Sequence, residues 1–222
     1  MTAGPADSRP HVPVRTVVHL MRHGEVHNPT GVLYGRLEGY HLSDLGREMA
    51  ELVAGQLAPN DITVVIASPL ERAQETAAPI AASHGLTIRT DPRVLESTNY
   101  FEGKQVAAKD LLHPTHWAKL LNPLKPSWGE AYEAIATRML AAIEDARRAA
   151  AGHEAVIVSH QLPVWTVRNQ LEGRRLWHDP RRRECTLASL TSLTYEDDEL
   201  ESVSYSEPAA ALLHRASRSV GA

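Results

Sequence analysis

The chain has 222 residues, with 27 acidic and 23 basic side chains and a formal charge of −4. That length suits one large domain with an extensive core, and 43% hydrophobic with 23% charged content excludes a disordered or fibrous chain. No apolar run approaches the roughly 20 residues that cross a bilayer, and the opening residues lack the apolar stretch of a secretory signal. Cys185 stands alone, which excludes internal disulfides and Cys-based zinc or redox motifs. The expectation is a cytoplasmic protein with no membrane partner, and mild acidity argues against general nucleic-acid binding. Two oddities stand out, twelve His and an excess of 19 Arg over 4 Lys.

Residues 1–14 are rich in Pro and small side chains and predict a loose arm before a single domain over 15–206. The apolar run 16–21 reads as a buried strand broken by Arg22-His23-Gly24. Ser43 is an expected N-cap, because Leu45, Met49, Leu52, Val53 and Leu57 follow it at helical spacing. Ile62 to Ala67 predicts a second strand that stops at Ser68-Pro69, before a helix carrying Leu70, Ala73, Ala77 and Ile80. Thr87-Ile88-Arg89 is a short third strand.

The segment from about 97 to 129 has several Pro, two Trp and little periodicity, which reads as a lid insertion. Ser127 and Glu130 fit a capping box at its end, opening a helix that presents Tyr132, Ile135, Met139 and Ile143. Ala155 to Ser159 is another strand, broken by His160 and followed by a helix to about Gln170. Strands over 186–194 and 200–205 complete the domain, and 207–222 reads as a weakly structured tail. Alternating strands and helices predict an α/β three-layer sandwich, with a largely parallel central sheet and helices on both faces.

Ligands of such sheets sit beyond the carboxyl ends of the strands. Three strands end in Arg22-His23-Gly24, in Ser68-Pro69 with Arg72 just beyond, and in Ser159-His160. Neighbouring strands would gather two Arg and two His at one rim, a costly cluster unless an anion sits among them. Arg suits tetrahedral oxyanions, and helix N-termini add oriented N–H groups. The residues alone therefore predict a phosphate or sulfate site.

Leu20-Met21-Arg22-His23-Gly24-Glu25, with Asn28 after it, resembles the signature of the histidine phosphatase superfamily, the phosphoglycerate-mutase-like fold. The resemblance runs on through Leu42-Ser43 with Gly46, Ser68-Pro69-Leu70 with Arg72-Ala73 and Thr76-Ala77, Leu95-Glu96 with Glu102-Gly103, and Ser159-His160. It implies that His23 attacks phosphorus, that Arg22 and Arg72 grip the phosphoryl oxygens, and that His160 donates from the opposite side. Glu96 matches the acid/base position. Asn28, Gln161 and Glu25 are set down as substrate-binding, the rival carboxylate Glu25 through hydrogen bonding or structure rather than proton transfer. Gln161 stands where such proteins usually carry Gly, and the Glu96-to-Gly103 block is one residue short, with Tyr100-Phe101 in place of a Gly region.

The resemblance implies a metal-independent phosphomonoesterase acting on a small phosphorylated metabolite, with no cofactor. A mutase using the same intermediate is the nearest alternative, but 104–126 offers only Lys104, Lys109, Lys119 and Lys125, without a paired Arg. A non-catalytic phospho-ligand sensor is the second alternative, disfavoured by the intact His23 and Glu96. Blander roles are assigned to His19 as a packed core residue, to Arg181-Arg182-Arg183 as a solvated run, with an acidic substrate or partner near the rim as the alternative, and to Trp117 and Trp128 as lid anchors, with contact to a substrate's apolar body as the alternative. His113 and His116 make a poor zinc pair. Neither Ser68 nor Ser159 sits in a serine-hydrolase elbow. Oligomeric state is left open, a homodimer among the options.

Overall fold

A computed structural model describes residues 12–99, 102–103, 129–179 and 182–217. The lid readings at 104–128, with His113, His116, Trp117, Ser127, Trp128 and the four Lys, lie outside the described residues, as do Tyr100-Phe101, Arg181 and residues 1–11.

Six strands form one sheet: β1 (Arg15–Arg22), β2 (Ile62–Ala67), β3 (Ile88–Thr90), β4 (Glu154–Ser159), β5 (Leu190–Glu196) and β6 (Glu199–Ser206). Their order is β3-β2-β4-β1-β5-β6. The first four run parallel, while β5 is antiparallel to β1 and β6 to β5. Among the described residues four helices cover it: α1 (Asp44–Leu57), α2 (Glu71–Ser83), α3 (Tyr132–Ala149) and α4 (Gln161–Leu171). The expected α/β sandwich is therefore present, and the sheet is mostly parallel.

The central strands read as continuous apolar runs because both of their faces are buried. Alternate residues divide between two cores. Val18, Leu20, Val64, Ile66, Ala155 and Ile157 pack with α3 and α4 through Ile135, Met139, Ile143 and Val167. Met21, Val65, Ala67, Val156 and Val158 pack with α1 and α2 through Met49, Val53, Ala77 and Ile80. Burial locks the register, because a slip of one residue would exchange the two cores. In that register Arg22 lies opposite Ser159, and Ala67 lies opposite Val158. Three strand ends thus finish level, with His23, Ser68 and His160 on one rim.

The loop after β1 is fixed to the start of α1. Ser43 caps that helix by accepting from the Gly46 N–H at 2.9 Å, and its own N–H donates to the Glu25 carbonyl at 2.9 Å. Gly46 leaves room for this approach, since a Cβ there would fall 2.0 Å from the Glu25 carbonyl oxygen.

Four boundaries differ from the sequence reading. The helix expected from Ser127 begins at Tyr132, with Ala131 as an N-cap that offers no side-chain bond. Glu130 lies before it and is bound by Arg36 and Arg138 instead of closing a capping box. Strand β5 starts at Leu190 rather than 186, because the Ser189 N–H and the Thr186 carbonyl form a turn. The tail is ordered in part: Ala210–Arg215 forms a 3-10 helix, Leu212 is buried against the α1 core, and the Ser217 N–H donates to Glu25 Oε1 at 2.6 Å.

Replacing Gly46 by Ala is expected to cost on the order of 1–3 kcal/mol, by forcing backbone apart at the rim. Urea denaturation compares Gly46→Ala with Gly55→Ala, whose Cβ would meet nothing within 4 Å. Equal midpoints for the two variants would show that the close approach is unimportant.

Candidate active site

His23 follows β1 and is fully buried. Its Nδ1 lies 2.8 Å from the Gly24 carbonyl oxygen, which can only accept. Nδ1 therefore carries the proton and Nε2 keeps its lone pair. Nε2 is buried and has no protein partner. Burial, together with the charges of Arg72 and Arg22, holds this imidazole well below its ordinary pKa. A neutral ring with a free Nε2 is a nucleophile in waiting.

His160 follows β4 and is also fully buried, its ring centroid 5.2 Å from that of His23. Its Nε2 lies 2.8 Å from Ser68 Oγ. Ser68 Oγ accepts from the Leu70 N–H at 3.4 Å, which leaves the hydroxyl proton for Nε2. Nδ1 is then the donor, and it too is without a protein partner. Burial first, then repulsion from His23 and Arg72, keeps this ring neutral to low pH.

Two guanidinium groups reach the same space. Arg22, at the end of β1, donates through Nη1 to the Cys185 carbonyl at 2.8 Å, and its Nε is unpartnered. Arg72, in the first turn of α2, is fully buried. Its Nη2 donates to the Gly35 carbonyl, and its Nε and Nη1 are unpartnered. The guanidinium carbon stands 4.7 Å over the Tyr34 ring, a cation–π contact that supports a desolvated cation. Thr76 joins the strand to the helix, accepting from the Gly24 N–H at 3.1 Å and donating to the Arg72 carbonyl at 2.7 Å.

Glu96 lies just beyond a 3-10 turn, Pro92–Val94, and is 3% exposed. Oε1 accepts from the Ser97 N–H at 2.8 Å, while Oε2 has no partner. Burial pushes this carboxyl above its ordinary pKa, opposed by the Ser97 N–H and by Arg72, Arg183 and Arg22. The segment is clamped from behind. Arg36 Nε donates to the Glu96 carbonyl at 2.6 Å, and Arg138 Nη1 donates to the carbonyls of Arg93 and Leu95 at 2.6 and 2.7 Å. Glu130 ties the two cations together, 3.0 Å from Arg36 Nη2 and 2.8 Å from Arg138 Nε.

Five of the expected residues thus assemble at the strand ends: Arg22, His23, Arg72, Glu96 and His160. The other three have protein partners of their own. Asn28 closes its own turn, donating to the Val32 carbonyl at 2.9 Å and accepting from the Val32 N–H at 3.2 Å. Glu25 accepts from Ser43 Oγ at 2.5 Å and from the tail at Ser217. Both line a surface depression with His27 and Ser43, whose walls include none of the five. Gln161 opens α4 and reaches the Cys185 carbonyl at 3.2 Å. His19 is buried as expected, bonded to Ser192 and Glu154 rather than packed against apolar groups alone.

Sequence reasoning missed the Arg36–Glu130–Arg138 clamp, because its parts are 94 and 8 residues apart and carry no pattern. It also left Arg183 in a solvated run, whereas that side chain is half-buried and bonded to His178 and Gln161.

Two guanidinium groups, two imidazoles with lowered pKa and a carboxyl with raised pKa thus gather at one rim. The family model of the histidine phosphatase superfamily (branch 1) matches residues 18–208, and the chain belongs to that superfamily. It is similar to the uncharacterized protein Rv0525 of Mycobacterium tuberculosis, 60% identical over 201 residues, covering 90% of this chain and 100% of the relative. A "Probable phosphoglycerate mutase GpmB" of Yersinia pestis is 29% identical over 81% of this chain and 85% of its own. The structure of a mycobacterial glucosyl-3-phosphoglycerate phosphatase, Rv2419c, with VO3 superposes with a TM-score of 0.67 at 25% identity, over 86% of this chain and 96% of that one.

Removing the carboxylate of the clamp in Glu130→Ala should loosen the Glu96 segment. A charged hydrogen bond is worth roughly 1.5–3 kcal/mol, so amide exchange at Ser97 should accelerate about tenfold or more. Unchanged exchange at Ser97, in a variant that is folded, would show that the clamp does not hold the segment.

Proposed function

We propose that the chain is a metal-independent phosphomonoesterase that hydrolyses a small phosphorylated metabolite through a phosphohistidine at His23. One observation carries the reading. Each of the five rim residues holds at least one buried polar atom without a partner among the described residues: Arg22 Nε, His23 Nε2, Arg72 Nε and Nη1, Glu96 Oε2 and His160 Nδ1. Buried donors left unmade cost free energy, and four N–H donors around a lone pair are what a phosphoryl group offers to satisfy. The glucosyl-3-phosphoglycerate phosphatase likeness supports the hydrolytic side of this reading.

In the first step Arg22, Arg72 and His160 hold the phosphoryl oxygens, and His23 Nε2 attacks phosphorus. The N–P bond forms as the ester P–O bond breaks, and Glu96 gives its proton to the departing alkoxide. In the second step the Glu96 carboxylate takes a proton from water, whose oxygen attacks phosphorus. The N–P bond breaks, inorganic phosphate leaves, and His23 returns to its neutral form. Phosphoryl transfer asks mainly for positioning and charge compensation, which the two guanidinium groups supply.

The GpmB likeness keeps a mutase in view, with the same phosphohistidine but return of the phosphoryl group to substrate. Product analysis separates the two, since only hydrolysis releases inorganic phosphate stoichiometrically.

Incubation with p-nitrophenyl phosphate should give turnover that survives a chelator and disappears in His23→Ala. Turnover persisting in His23→Ala, or lost with chelator, would sink the mechanism. Glu96 provides a second check. Reaction needs neutral His23 and protonated Glu96, so the lowered pKa of His23 keeps activity into acid, and activity falls as pH rises through the raised pKa of Glu96. In Glu96→Gln, kcat/KM for an alkyl phosphate should drop roughly 10²–10⁴-fold and lose that alkaline limb. p-Nitrophenyl phosphate, whose leaving group needs no proton, should suffer much less. An equal loss on both substrates would rule out Glu96 as the acid.

A further inference from the structure

A third guanidinium lies against the rim, and the proposed reaction does not use it. Arg183 follows α4 on the strand-connecting segment before β5. Its Nε donates to His178 Nε2 at 2.8 Å, and its Nη1 points to Gln161 Oε1 at 3.4 Å. Gln161 in turn donates to the Cys185 carbonyl at 3.2 Å, the same oxygen that receives Arg22 Nη1 at 2.8 Å. The series His178–Arg183–Gln161–Cys185–Arg22 therefore runs from the phosphoryl-gripping arginine outward. It uses Gln161, which directly follows His160.

What separates Arg183 from the buried and half-buried cations other than the rim pair Arg22 and Arg72 is its company. Arg36 and Arg138 share Glu130, Arg93 has Asp91, Arg147 has Glu144, and Arg168 has Glu172 and Glu184. Arg183 makes an ion pair with no carboxylate among the described residues, and its bonds go to an uncharged amide and to an imidazole. That imidazole is also held neutral, chiefly by burial, with its Nδ1 bonded to the Leu176 carbonyl at 2.7 Å. A cation withdrawn from water without a counter-ion is costly, so a second observation on the same side chain is relevant: burial pulls its guanidinium below the ordinary pKa. Glu96 is the acidic group whose charge acts most strongly on it, but Glu96 makes no ion pair with it and holds a proton in the first step.

We infer that Arg183, oriented by Gln161 and His178, receives a second anionic group on the substrate, a carboxylate or a further phosphoryl group, beyond the ester phosphate held by Arg22 and Arg72. The inference rests on the phosphomonoesterase reading for the placement of the first phosphate. It names the substrate class: a phosphorylated metabolite with two separated anionic groups. The guanidinium fork suits either group, because both offer paired oxygens. Gln161 then has a purpose in aiming that fork.

The test uses equilibrium binding, so that it stands whether or not a ligand is turned over. Dissociation constants are measured by calorimetry for 3-phosphoglycerate against glycerol 3-phosphate, and for fructose 1,6-bisphosphate against fructose 6-phosphate. The wild-type chain should favour the doubly anionic member of at least one pair by about tenfold or more, as a charged hydrogen bond of roughly 1.5–3 kcal/mol implies. The first pair reports on a carboxylate and the second on a phosphoryl group. In Arg183→Met that preference should fall to within about twofold, and Arg183→Lys should restore only part of it. A wild-type chain without preference in either pair, or a preference that survives Arg183→Met, would overturn the inference. Failure to hydrolyse p-nitrophenyl phosphate would instead count against the phosphomonoesterase reading, and the binding ratios would still decide the role of Arg183.

Discussion

Arg72 and two imidazoles are held out of water at the carboxyl edge of one sheet, beside half-buried Arg22, and among the described residues no carboxylate forms an ion pair with either guanidinium. Keeping charge in such a place is expensive. The surrounding structure lowers that cost in ways that leave the working atoms free. Backbone carbonyls of Cys185 and Gly35 take one arm of each arginine, and the Tyr34 face supports Arg72. The imidazoles stay neutral because burial and the arginines make protonation unfavourable. The cluster is thus half-satisfied by protein, and the remaining atoms are directed to an anion.

The scaffold's contribution is level strand ends. Parallel pairing of β2, β4 and β1, locked by two cores on opposite faces, brings Ser68, His160 and His23 to one height. Around that edge the chain spends backbone bonds on precision rather than on extra charge. The Gly24 carbonyl selects the tautomer of His23, and Thr76 ties the Gly24 amide to the first turn of α2. The acid is handled differently. Glu96 stands on a segment without regular structure, so its position depends on Arg36 and Arg138 gripping three consecutive-region carbonyls, with Glu130 between them.

Strands β1, β2 and β4 and the rim residues Arg22, His23, Arg72 and His160 were legible in the sequence because each of these strands is a short apolar run that ends abruptly in Arg, His or Ser, whereas Glu96 was legible only through the family resemblance. Helix α1 was legible through Ser43 and its apolar stripe. The start of α3 was misplaced because Ser127 and Glu130 have capping-box spacing, yet Glu130 gains more from two guanidinium groups than from one backbone N–H. The tail looked structureless by composition, and packing of Leu212 on the α1 core, with the bond from Ser217 to Glu25, gives it order. Asn28 was set down as substrate-binding from the family resemblance and Glu25 as a rival carboxylate with a hydrogen-bonding or structural role; in the structure Asn28 bonds to Val32 and Glu25 to Ser43. Arg183 sat in a run of three arginines that resembles a solvated surface, and its contacts to His178 and Gln161 are set by tertiary structure alone.

The central claim is that the unpartnered Nε2 of His23 forms the bond to phosphorus. It is tested most directly by rapid acid-free quenching of the enzyme during turnover of a 32P-labelled phosphomonoester, followed by alkaline digestion and assignment of the modified nitrogen by NMR. The account predicts phosphate on His23 at Nε2, because Nδ1 is committed to the Gly24 carbonyl. Phosphate on Nδ1, on Ser68 or on any other residue would contradict it.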